Sequence, residues 1–303
     1  MTLSARAAQP SNILIPKHAN TDVTVLNFLI ERFHRITAQE WQQRLCDGKV
    51  HWDCGEKIHL NTLCRPLKRV YYYREVAQEI KVPFKEEILY QDDHIIVVFK
   101  PHFLPVTPSG HYVNECLVHR LRISTGIETI APAHRIDKDT AGIMLFIKTV
   151  AVRGVYHNLF MNSAIHKQYQ AIARIPIEIQ QQFQYEGNLH WTVKNRLVKS
   201  NPSFLMKVTE GEANSHSEIK LVDVYEGFGL FELEPVSGKT HQLRVHMASL
   251  GFPILNDKFY PCLKDEKIET FISPLKLHAK KLQFIDPISQ ELKTFTTQGM
   301  NFH

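Results

Sequence analysis

The stretch HRIDKDTAGIMLFIKT, His134–Thr149, limits more than any other what this chain can fold into. Its second half, GIMLFIKT, is a short apolar run suited to a buried strand. Its first half is a charged turn in which the acid Asp137 stands among the bases His134, Arg135 and Lys138. Two readings are open: a turn whose charges are solvated, or a nucleophile held in an electropositive site.

Strands recur along the chain. ILYQDDHIIVVFKP (Ile88–Pro101) gives two strand-like pieces around an acidic turn, and LPVTPSG breaks the pattern with prolines and a glycine. HKQYQAIARI reads as another strand, the segment from Trp191 to Pro235 alternates in strand rhythm, and LKLHAKKLQFID closes the series. Helices are expected over about Asn114–Thr125, over VRGVYHNLFMN and over KTHQLRVHMASLG, the last ended by Gly251. With no GxGxxG or GxxxxGK, this order favours an α+β domain over a doubly wound nucleotide fold.

The N-terminal segment differs. VTVLNFLIERF puts Val25, Leu26, Leu29, Ile30 and Phe33 on one helical face, with Thr21 or Asp22 as cap. TAQEWQQRLCDG predicts a second short helix, with Thr37 and Glu40 forming a capping box and Gly48 as stop. KVHWDCGEKIHL follows as two short strands around a turn at Asp53–Gly55, and RPLKRVYYYREV then interleaves Arg65, Lys68, Arg69 and Arg74 with Tyr71, Tyr72 and Tyr73. Cations beside rings suit unpaired RNA; a half-buried strand with alternate tyrosines inward explains the same residues. Residues 1–85 hold 13 Lys or Arg against 8 Asp or Glu, whereas residues 86–303 hold 23 of each. A basic segment beside a neutral domain suits a polyanion, although a solvated surface gives the same count. The two-helix unit loosely resembles the S-four-type ribosomal-protein RNA-binding fold over about residues 20–75, so the expected division is 1–80 as an S-four-like domain and 81–303 as the rest.

No run of about 18 apolar residues suggests a membrane span, and the N-terminus lacks a secretory pattern, so a cytoplasmic protein is expected. Five cysteines without a CxxC pair fit a reducing compartment. Seventeen histidines include no HExxH, so no metal site is expected.

Three segments combine a polar group with an apolar element: HRIDKDTAG with Asp137, KQYQAI with Tyr169, and SGKTHQLRVH with Arg244. Singly they read as a capped turn, a half-buried tyrosine and an amphipathic helix. Together with ILYQDDHIIVVFKP and LKLHAKKLQF, over about residues 86–286, the chain resembles an RluA-type pseudouridine synthase. The resemblance implies that family's fold, a mixed, mainly antiparallel sheet with flanking helices. It also implies Asp137 as the essential carboxylate, Tyr169 stacking under the target uracil, and Arg244 pairing with the aspartate. Arg135 would reach into the RNA and Leu277 would wall the pocket. Lys138, Lys239 and His241, with Arg65, Lys68 and Arg69 of the basic segment, are the other expected RNA contacts. Lys138 and Lys239 stand where arginine is usual and Ala141 where serine is usual, and HFLPVTPSG lacks the usual alanine-glycine after its lysine-proline pair.

The implied reaction breaks the ribose–nitrogen bond of uridine, rotates the uracil and joins its carbon 5 to the ribose, without net redox change, cofactor or energy input. A carboxylate can serve as nucleophile at the anomeric carbon or at carbon 6, or as a base on the ribose. An adjacent cation such as Arg244 keeps it ionised. The tyrosine offers a stacking face and a hydroxyl that could assist loss of the carbon 5 proton. Ribosomal or transfer RNA is the expected partner of a monomeric protein. A non-catalytic RNA-binding or ribosome-assembly protein and a histidine-rich metal hydrolase are the rivals; the first has no use for a carboxylate near phosphates, and elemental analysis would exclude the second.

Overall fold

All seven residues of the strand Ala141–Ile147 are buried, which an unbroken apolar run needs and a sheet covered on both faces supplies. The computed structural model describes residues 5–34, 36–264 and 270–302. The chain divides into two units, Met1–Ile80 with Pro108–Asn114, and Lys81–Thr107 with Glu115–His303.

In the larger unit the described strands form one 11-stranded sheet. His166–Arg174 lies between Phe228–Pro235 and Leu277–Ile285, antiparallel to both. Beyond Phe228–Pro235 come Ser215–Tyr225, Leu189–Lys199 and Met206–Thr209, again antiparallel. On the other side, Leu277–Ile285 meets Ala141–Ile147 in parallel, with His278 opposite Ala141 and Ala279 opposite Gly142. The sheet continues through Ile95–Lys100 to Glu87–Gln91. It is mixed and mainly antiparallel, with flanking helices, as an α+β fold requires. One core gathers Phe231, Leu233, Met247 and Phe252; a second gathers Ile143, Leu145, Tyr156 and Phe284.

The parallel junction explains Gly142. Its φ is +121°, and a Cβ there would stand 2.3 Å from the Ala279 carbonyl oxygen and 2.5 Å from the Ala279 nitrogen. Backbone atoms cannot swing aside. Gly142→Ala is expected to cost at least about 1–3 kcal/mol from backbone conformation alone, with the clash added to that. Chemical denaturation checks this, and an unchanged midpoint would refute the close approach.

Several elements depart from the sequence expectations; of the two strands expected in KVHWDCGEKIHL only Val50–Trp52 forms, with Lys57 in an isolated bridge to His51. The helix expected from Asn114 begins at Leu117, preceded by Cys116 in extended conformation; the Asn114 side chain accepts from the Ala8 N–H through Oδ1 and donates to the Arg6 carbonyl through Nδ2. The helix Ile177–Glu186 was not expected from the sequence. None of its residues is buried, and only a short apolar stripe, Ile179 and Phe183, leans on the core.

In the smaller unit, helices Val25–Arg32 and Ala38–Cys46 share a core with a three-stranded sheet ordered Ser11–Leu14, Arg69–Tyr72, Val50–Trp52. The cap of the first helix is Thr24, accepting from the Asn27 N–H, rather than Thr21 or Asp22. The Thr37–Glu40 capping box of the second is present.

Candidate active site

Register assembles the site. Ala279 pairs with Gly142 on one side and with Tyr169 on the other. The turn that carries Asp137, which ends where the Ala141–Ile147 strand starts, therefore lies one strand away from the strand of Tyr169. A β-bulge falls between Gln168 and Tyr169, the kind of irregularity that re-aims a side chain within a sheet.

Helix Gln242–Ser249 delivers Arg244, which is 1% exposed. Its Nη1 donates to Asp137 Oδ2 at 3.3 Å. The opposite edge of the guanidinium makes a fork on Asp257, Nε to Oδ2 at 2.8 Å and Nη2 to Oδ1 at 2.7 Å. Its carbon sits 4.7 Å from the centre of the Phe259 ring. Burial works against the Arg244 charge, and the Asp257 bonds and the neighbouring carboxylates more than offset it, so the group is held charged. One carboxylate immobilises the cation and the other, with its side chain 26% exposed, remains open to a ligand.

Beneath the turn, the Nζ of Lys100 is fully buried and donates to three carbonyls: Pro101 and Leu104 at 2.8 Å and Lys138 at 2.9 Å. The Nδ1 of His102 meets the Asp139 carbonyl at 2.6 Å. His102 and Phe103 occupy the positions after the lysine-proline pair, and Phe103 adopts a left-handed φ of +66° that glycine usually takes. Its burial against Phe84 and Phe271 offsets that strain. The histidine of HFLPV thus ties this turn to the Asp137 segment.

Burial lowers the Lys100 ammonium to about 7, against the opposing pull of Asp139 and Asp137. The unfolded lysine titrates near 10.5, so between these values the unfolded chain binds more protons and stability rises with pH. Lys100→Met is expected to cost about 1–3 kcal/mol for each orphaned carbonyl. The gap to wild type should widen as pH rises from about 7 towards 10. Denaturant titrations across that range would refute this by showing a constant gap.

The phenol of Tyr169 is pushed above its usual range, by burial first and by the Asp137 carboxylate second. Leu277 is buried in the core cluster against which Tyr169 packs. His241, expected as an RNA contact, turns inward: its Nε2 lies 3.9 Å from Asp137 Oδ1, its Nδ1 2.9 Å from the Tyr260 hydroxyl, and its side chain is 9% exposed. It adopts a left-handed φ of +53° ahead of the helix. Burial lowers the imidazole and Asp137 opposes the shift. Arg135 and Lys239 are exposed. Lys138 is half-buried, with Nζ 3.8 Å from Asp139.

The basic residues of the smaller unit form their own group. Arg65 forks onto Glu56 and stacks over Trp52 at 4.9 Å. With Lys68, Asp53 and Cys54 it lines a cleft of about 290 Å³. Arg69 donates to Asn12.

The sequence did not single out Asp257, His102 or the anchoring role of Lys100. Asp257, in NDKFY, reads as an ordinary loop charge, and its one signal is its place in the same segment as Arg244. Among the described residues no group of three or more His, Cys, Asp or Glu could hold a metal, and no helix is long and apolar enough to cross a membrane.

A family model described as RNA pseudouridylate synthase matches residues 94–249. The chain is 31% identical over 220 residues to tRNA pseudouridine synthase C of Vibrio vulnificus, covering 68% of this chain and 87% of that one. It is 27% identical over 283 residues to ribosomal large subunit pseudouridine synthase D of Xylella fastidiosa, covering 85% and 82%. Among solved structures, the human protein named RNA pseudouridylate synthase domain containing 1 superposes with a TM-score of 0.57 at 21% identity, covering 73% of this chain and 86% of that one. At that identity the likeness speaks for the fold alone.

Proposed function

The chain belongs to the RNA pseudouridylate synthase family, in its RluA-type branch, and from that membership we propose that it isomerises specific uridines of ribosomal RNA with Asp137 as the reacting carboxylate. The observation that carries this assignment is the division of the Arg244 guanidinium between a buried fork on Asp257 and a single bond to the accessible Asp137. A cation already fixed by one carboxylate can orient a second one through a single bond without collapsing onto it. The carboxylate acts on the nucleotide, the bond from ribose carbon 1′ to N1 breaks, the freed uracil turns, and carbon 5 joins the ribose as its proton leaves to solvent and N1 gains one.

Tyr169 holds the detached base by stacking. Its raised phenol stays protonated at neutral pH, which suits a flat face and a donor better than a base at carbon 5. Leu277 backs the pocket, and His241, beside Asp137, lines its polar side. Arg135, Lys138 and Lys239 contact RNA near the target, with Arg135 filling the space left when the uridine flips out. Residues 1–80 are an S-four-like RNA-binding domain in this reading, and residues 81–303 carry the chemistry. The protein works as a cytoplasmic monomer without cofactor.

Transfer RNA is the alternative substrate, favoured by the similarity to a tRNA pseudouridine synthase. Ribosomal RNA is preferred because the similarity to a large-subunit synthase extends over 85% of the chain. Tritium release from RNA labelled at carbon 5 of uracil, using unmodified ribosomal and transfer pools, tests both. Release from the ribosomal pool supports the first, release from the transfer pool alone supports the second, and no release from either overturns the reading.

A further inference from the structure

The tyrosines of RVYY and the residue after it divide by strand parity. Tyr72 points into the smaller unit's core, edge-on to Trp41 at 5.4 Å and Phe33 at 5.3 Å. Tyr71 and Tyr73 are half-buried on the other side. Register sets Asn12 and His51 directly opposite Tyr71 on its two neighbouring strands. The His51 and Tyr71 rings are stacked, 5.5 Å apart and 8° from parallel, and the Tyr73 ring lies 6.1 Å from His51. Cations stand at both ends of this row. The Arg6 guanidinium lies 5.0 Å over Tyr73, and Arg69 is held at 2.7 Å by the amide of Asn12 rather than by a carboxylate. Both arginines are exposed. By contrast, Arg65 is neutralised by Glu56.

We propose that this outer face of the three-stranded sheet is a stacking platform for unpaired nucleotides, with His51 and Tyr71 taking bases and Arg69 and Arg6 taking phosphates. The proposal rests on the reading that the chain acts on RNA, and it places the smaller unit's grip on the sheet face rather than on the Arg65–Lys68 cleft. Planar rings already parallel on adjacent strands offer a base a face without ordering a flexible side chain. Flanking guanidiniums supply the charge complement that a phosphate backbone demands. Stacking tolerates any base, whereas a duplex hides its base faces.

The test measures binding of labelled oligoadenylate to the full chain by anisotropy. That probe has no uridine to offer the Asp137 site. Tyr71→Ala is expected to weaken binding roughly 5- to 150-fold, Tyr71→Phe to restore it, and a blunt RNA duplex to bind equally to all three proteins. Unchanged oligoadenylate affinity in Tyr71→Ala would overturn the platform, as would a Tyr71→Phe variant as weak as the alanine one. Should Tyr71→Ala lower the melting temperature, His51→Ala decides by the same criterion. Tritium release by the wild-type chain is a separate readout, so failure of the platform and failure of the synthase reading are distinguishable.

Discussion

Asp137→Asn is expected to lower tritium release at least about 10⁴-fold, the scale seen when a reacting side chain of a catalytic group is removed. The amide keeps the size of the carboxylate and loses its charge and nucleophilicity. Its cost to folding should be small. Asp137 is only partly buried and bonds Arg244 through one 3.3 Å contact, for which the asparagine carbonyl still offers an acceptor. Arg244 retains its fork on Asp257. Turnover and denaturation measured on the same preparation separate the two effects, and a variant with near-normal turnover would remove Asp137 from the reaction.

Asp257→Ala should show the reverse balance. Arg244 would be left buried without its bidentate partner, and breaking a buried pair from one side costs about 3–5 kcal/mol. The N–H groups of Phe259 and Tyr260 lose the same oxygen as acceptor. The freed guanidinium can then turn its fork onto Asp137, and a displacement of the carboxylate by about 1 Å costs about 10²-fold in rate. Asp257→Asn keeps an acceptor and tests the charge alone. A positioning role lowers kcat with little change in KM, whereas a general loss of folded protein lowers apparent enzyme concentration and leaves the pH profile in shape. Wild-type kcat in folded Asp257→Asn would show that Arg244 needs no second carboxylate.

Much of the architecture can be read along the chain because its causes are local. The apolar run after Gly142 dictates a buried strand, the Thr37–Glu40 spacing dictates a helix start, and alternate tyrosines dictate a half-buried strand. Motif chemistry likewise marked Asp137, Tyr169 and Arg244. Where the first helix begins was misplaced by two or three residues, because Thr21, Asp22 and Thr24 are all competent caps and packing selects Thr24. The helix Ile177–Glu186 escaped because its apolar stripe is too short to carry a period.

Partnerships belong to a different level. Asp137 and Arg244 are 107 positions apart and Asp257 another 13 beyond Arg244; no spacing rule says which carboxylate takes the fork and which takes the single bond. The same holds for Lys100, whose three acceptors include a carbonyl 38 residues away, and for His51 stacked on Tyr71. Residue type and period determined which strands and helices this chain can form and which groups can carry chemistry. The tertiary structure alone decided how those groups share one another, because a guanidinium edge, a buried ammonium or a ring face is allotted only when the sheet register brings its competitors within hydrogen-bonding or van der Waals reach.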